Sequence, residues 1–177
     1  MQFVRRFPLC RLKFSLAYWH TMRGDGSDPF GAPTKRWPWE DPALDPMALA
    51  HRRLDVFFEL LGKLGVSYWC FHDRDIAPEG ATLEESNAAL DVIAAHAARL
   101  QRERGVRLLW GTASLFGHRR YMHGAATSPN ATVFAHAAAQ VKQVRGPAAA
   151  GVRHARLPAP LAALHARSRL LPRRPWR

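Results

Sequence analysis

The order of elements constrains this chain more than any single residue does. Three short apolar runs, Lys13–His20, Val66–Phe71 and Val106–Ala113, are each followed by a loop and then by a stretch with helical spacing. A strand–loop–helix unit met three times in succession predicts parallel strands joined by helical crossovers. The second run, VSYWCF, has the near-continuous apolar character of a strand covered on both faces. Two architectures satisfy this order: an open doubly wound sheet, or part of a (β/α)8 barrel. Neither GxGxxG nor GxxxxGK[ST] follows any run, which weakens a nucleotide-binding version.

The helices announce their own limits. Leu49, Leu54, Phe57, Leu60, Leu61 and Leu64 recur at helical spacing over Met47–Leu64, with Arg52, Arg53 and Lys63 opposite and Gly65 as the stop. Thr82 and Glu85 form a capping box ahead of the stripe Leu83, Leu90, Ile93, Ala97 and Leu100, and Gly105 ends that helix. A third helix fits Asn130–Val144. With 47% apolar residues the chain has material for a core, which excludes a wholly disordered protein. Two cysteines, Cys10 and Cys70, are too few for a disulfide framework or a thiolate zinc site and fit a reducing compartment. No run reaches the ~18 apolar residues of a membrane span, and the first residues lack the apolar region of a secretory signal. The expectation is a cytoplasmic protein that does not engage a membrane.

Charge divides the chain in two. The formal net charge is +12, yet residues 145–177 carry eight arginines with no lysine, aspartate or glutamate. The first 144 residues are only mildly basic. Five prolines (147, 158, 160, 172 and 175) fall in that last stretch, which predicts a disordered or irregular basic tail after Val144. Arginine-rich segments bind phosphate in a salt-dependent manner, so a non-enzymatic protein contacting nucleic acid non-specifically through its tail is the alternative reading.

In parallel α/β folds chemistry gathers where strands end. The second run ends in Phe71-His72-Asp73-Arg74-Asp75. A histidine and a carboxylate three residues apart meet if the chain turns there, fixing the tautomer and leaving one ring nitrogen for acid/base work. The competing readings are a solvated polar loop and a metal site. Trp19, Trp69, Trp110, Phe30 and Phe71 read as core residues, with Trp19 and Trp110, at strand ends, read alternatively as walls of a sugar-sized pocket. Arg119, Arg120 and His123 suggest an anion clamp, against the plainer reading of a solvated loop.

Three longer motifs carry a resemblance. YWHTMRGDGSDPFG (Tyr18–Gly31), YWCFHDRDIAPEG (Tyr68–Gly80) and LLWGTASLFGHRRYMHGAATSPN (Leu108–Asn130) resemble the N-terminal motifs of class II xylose isomerases, in the same order and spacing, from about Leu12 to about Val144. The resemblance implies a (β/α)8 TIM barrel, here represented by about three N-terminal βα units. It implies a homotetramer that interconverts D-xylose and D-xylulose with two divalent cations, Mg²⁺, Mn²⁺ or Co²⁺. It places His72 and Asp75 as the catalytic ring-opening pair, and Trp19, Trp110, Thr112 and Phe116 around the substrate. It assigns Phe30 to a neighbouring subunit's pocket. Ser114, Gly117 and Arg119 depart from the residues usual at those places.

The family's next segment, a helix leading to a strand with a WGGREG-like motif, is not found after Val144. Nor are the later carboxylates and histidines that hold the family's cations, so no metal ligands are assigned. The expectation is an N-terminal portion, residues 1–144, followed by a tail produced by out-of-frame reading of GC-rich coding DNA. Such a chain is expected to be inactive as an isomerase on its own. A WGGREG-like stretch in another frame after codon 144 is the check.

Overall fold

Each strand is short because the neighbouring backbone is claimed by something else. The computed structural model describes residues 13–151, so Cys10 and the arginine-rich stretch after Gly151 lie outside the described residues. The elements in chain order are β1 (Ser15–Ala17), a π-helical turn (Trp19–Arg23), α1 (Pro46–Leu64) and β2 (Tyr68–His72). After these come α2 (Asp73–Ile76), α3 (Leu83–Arg104), β3 (Arg107–Thr112), a 3-10 turn (Arg119–Tyr121) and α4 (Ala131–Gly151). The three strands form one parallel sheet in the order β1-β2-β3. This is the mixed α/β arrangement that the alternation predicts.

The first expected strand ends early. The Thr21 hydroxyl donates to the Ala17 carbonyl at 2.9 Å, and the chain coils at once into the π-helical turn, burying Tyr18 and Met22. The second starts late, since the Val66 and Gly65 N–H groups donate to the carbonyls of Leu61 and Gly62 to close α1. Gly65 takes the left-handed conformation (φ 65°) that this cap needs and that an L side chain resists. Asp45 caps the other end of α1, accepting from Met47 and Ala48 N–H groups at 2.9 and 3.0 Å. The Thr82–Glu85 capping box of α3 forms in both directions. Asn130 accepts from Thr132 N–H at 2.9 Å ahead of α4. That helix continues through Gly151, past the boundary expected at Val144, and includes Pro147. One proline removes one rung of the ladder, and the alanines at 148–150 are the best helix formers available.

The pleat assigns every strand residue to a face. Trp69 and Phe71 turn toward the helices, where Leu54, Phe57, Phe58, Leu61, Leu90, Ile93, Leu100 and Leu108 complete a buried cluster. Trp69 lies 5.7 Å from Phe57 and 5.3 Å from Phe58, ring to ring. Cys70 and His72 turn the other way. A register irregularity between Trp69 and Cys70 skips Leu109, so Cys70 aligns with Trp110, Phe71 with Gly111 and His72 with Thr112. The bulge brings Gly111 under the Phe71 ring, where an added Cβ would stand 2.7 Å from Phe71 Cζ. It also puts Trp110 and Thr112 on the face that carries His72.

The seam between α1 and α3 is sensitive to acid. His51 stacks edge-on against His96 at 4.6 Å, and burial followed by the His96 charge lowers its pKa from the ordinary 6.5. His136 on α4 is lowered by burial and then by Arg120. A histidine held lower in the folded state takes up its proton first in the unfolded chain, so stability is present above 6.5 and lost as pH falls through and below it. The depressed carboxyl of Glu40, held down by Arg53, acts only below about 4.5 and does not offset this. The denaturant midpoint is therefore expected to drop between about pH 7.5 and about pH 5. A flat or rising midpoint over that window would contradict the assignment.

Candidate active site

The site is built on the end of β2. His72 is the last strand residue, and the chain folds directly into the single helical turn α2, which swings Asp75 back beneath it. Asp75 Oδ2 lies 2.7 Å from His72 Nδ1. An ionised carboxylate can only accept, so Nδ1 carries the proton of this bond and, in the neutral ring, Nε2 carries the lone pair. The pair is partly shielded, with the two side chains 14% and 23% exposed.

Aromatic rings surround the imidazole. Trp19, projected by the π-helical turn after β1, has its ring 4.3 Å from that of His72. Trp110 lies 6.1 Å from His72 and 5.4 Å from Trp19, and Phe116 stands edge-on to His72 at 5.3 Å. Trp110 and Phe116 remain 40% and 72% exposed, so these are walls of an open face rather than core. The expected alternatives for the aromatics thus separate: Trp69 and Phe71 are core, while Trp19 and Trp110 line the face of His72. Thr112 joins by register, directly across from His72. Phe30 stands apart, 96% exposed on the 24–45 loop, in a turn that Asp28 Oδ1 fixes by accepting from Phe30 and Ala32 N–H groups at 2.8 and 3.0 Å.

Arg119, Arg120 and His123 do not converge on a clamp. Arg120 is engaged by His136 and, at 3.4 Å, by Glu79. Arg119 and His123 are exposed.

Sequence reasoning missed what lies beneath the pair. Asp73, fully buried, accepts from Ser114 N–H at 2.7 Å and Arg74 N–H at 2.8 Å, and from Gln140 Nε2 at 2.8 Å. Gln140 in turn accepts from the Tyr121 hydroxyl at 2.7 Å. The only hint in the sequence is the position of Asp73 between His72 and Asp75. On the far side of Asp75 is a cavity of about 380 Å³ bordered by Arg23, Asp41, Arg53 and Arg74. A larger one, about 500 Å³, lies at the opposite end of the strands beside Phe14, Tyr68 and Arg107, away from the His72 pair. Among the described residues no three His, Cys, Asp or Glu side chains converge to hold a metal ion. No helix among them is long and apolar enough to cross a membrane.

Fold and site together define a parallel α/β protein with a hydrogen-bonded histidine–carboxylate pair and an indole wall at the carboxyl ends of its strands. No family model matches the chain. It is 62% identical over 131 residues to the xylose isomerase of Hordeum vulgare and 59% identical over 131 residues to that of Arabidopsis thaliana. It is 55% identical over 132 residues to the xylose isomerase of Thermotoga maritima. These matches take in 74–75% of this chain but only 27–30% of the relatives. Over its N-terminal three-quarters, then, the chain is a homologue of the xylose isomerases, spanning less than a third of their length; the remainder is not covered by them.

Proposed function

We propose that residues 13–144 are the sugar-handling portion of a xylose isomerase-like enzyme, the first three βα units of a (β/α)8 barrel, and that they open the ring of D-xylose. The observation that carries this reading is the His72 Nδ1–Asp75 Oδ2 contact of 2.7 Å facing the Trp19 ring. In ring opening the anomeric O–H is deprotonated, C1=O forms, the C1–O5 bond breaks and O5 takes a proton. His72 Nε2 is placed to accept the first proton, and Asp75 to hold Nδ1–H and stabilise the resulting imidazolium. The imidazolium then returns the proton to O5. The Trp19 and Trp110 faces suit the C–H surface of a sugar, with the Thr112 hydroxyl available to its oxygens.

The barrel reading is supported by β3, which among the described residues pairs only with β2 and leaves Leu109 and Trp110 exposed beside it. A further strand laid along that edge would cover them. The isomerising step of the relatives is a hydride shift between C1 and C2, which divalent cations promote by polarising the oxygens. The described residues do not fit a cation, and no step here runs through one. Residues 145–177 are proposed to lie outside the enzyme portion.

The test is polarimetric. The chain is expected to accelerate the mutarotation of α-D-xylopyranose in proportion to its concentration, while forming no D-xylulose with or without Mg²⁺, Mn²⁺ or Co²⁺. A mutarotation rate equal to that of buffer would reject ring opening, and metal-dependent D-xylulose would reject the partition of the two steps.

A further inference from the structure

We infer that Asp73 is a positioning residue, which holds the Thr112–Phe116 wall in place against His72; the inference rests on the reading of His72 as the proton-handling group. Asp73 follows His72 directly, and its carboxylate is fully buried. Its two oxygens serve different elements. Oδ1 accepts from Ser114 N–H at 2.7 Å, and Oδ2 accepts from Gln140 Nε2 of α4 at 2.8 Å. The same Gln140 amide donates to the Ser114 carbonyl at 3.2 Å. Both backbone groups of Ser114 are therefore held by one buried pair, and Ser114 lies midway between Thr112 and Phe116.

Packing cannot do this work for Phe116, which is 72% exposed yet stands 5.3 Å from the His72 ring. The Tyr121 hydroxyl fixes the orientation of Gln140 by donating to its Oε1, which leaves Nε2 facing Asp73. Gln140 is 2% exposed and Tyr121 6%, so water has little access to compete. Burying a carboxylate is costly, and an apolar side chain would fill the space more cheaply. What the carboxylate adds is direction: three donors converge on it from three places in the chain. Ser114 takes part only through its backbone, so its departure from the residue usual in the family leaves the network intact.

The experiment reads the geometry at His72 without any sugar. Acylation of the His72 imidazole by diethyl pyrocarbonate at one fixed pH, located by mass spectrometry, reports how closely the Phe116 wall stands over the ring. Asp73→Asn faces one amide with another, and Gln140→Glu faces one carboxylate with another. Each is expected to raise the acylation rate at His72 several-fold, and the double variant, which restores an amide–carboxylate pair in reverse, to return it. A merely structural role would lower the unfolding midpoint of the single variants while leaving the rate of the folded protein unchanged; that result overturns the inference. Failure of the double variant to return the rate does so as well. If neither single variant folds, Tyr121→Phe decides: an unaltered rate rejects the inference. Because no sugar is present, absence of mutarotation would count against ring opening and leave this result standing.

Discussion

Replacing His72 by glutamine is expected to return the mutarotation of D-xylose to the rate of buffer, a loss on the order of 10²- to 10⁴-fold in the protein's contribution if it acts at the strength usual for general acid–base groups. Glutamine keeps a polar side chain of similar reach, able to bond with Asp75, but has no nitrogen that takes up a proton near neutrality. Asp75→Asn should act differently. The ring keeps its place against Trp19 but loses the carboxylate that stabilises the imidazolium formed in the reaction, so the rate falls but by less. The order of effects is the point of the comparison. Equal losses in both variants, with the folded structure retained, would mean that the pair acts as a unit. No loss in His72→Gln would remove His72 from the reaction.

The alternation of elements was legible because each unit states itself locally. Gly65 and Gly105 close the helices they were expected to close, both with positive φ, and the Thr82–Glu85 box opens the helix that it punctuates. Boundaries of the strands were less legible, since the competing claims are hydrogen bonds, not hydropathy: Val66 is as apolar as any strand residue but its N–H belongs to the cap of α1. The HxxD spacing at 72–75 stated which two groups could meet but not that a four-residue helix would bring them together. Composition alone does not divide core tryptophans from wall tryptophans; the strand-end position and the family resemblance point to Trp19 and Trp110 as walls, without the physical cause. Trp69 and Trp110 sit in similar apolar runs, and the skipped residue Leu109 decides the face that Trp110 takes. Asp73 was invisible for a related reason. A buried carboxylate is recognised by its partners, and these come from positions 41 and 67 residues away.

That difference between the two indoles leads to the largest expected effect on stability. Trp69→Ala removes a side chain that is 1% exposed and packed among Phe57, Phe58 and Phe71. Truncations of this kind cost about 3–5 kcal/mol. Gln101 Oε1 also loses the indole N–H at 3.2 Å but keeps the Leu108 N–H at 2.8 Å, so no acceptor is stranded. Domains as a class are stable by only about 5–15 kcal/mol. Among the described residues the sheet has three strands with an open edge at β3, which places this chain toward the low end, and the variant is expected to be largely unfolded at room temperature. Trp69→Phe retains most of the apolar volume and should cost well under half as much. Trp110→Ala is the control that makes the result specific. It removes the same side chain from the neighbouring strand, at the residue facing Cys70, but on the open side where 40% of it meets solvent. Its denaturation midpoint should stay close to that of the unaltered chain. If the two alanine variants melt together, the bulge between Trp69 and Cys70 does not divide core from wall, and the placement of the pocket face falls with it.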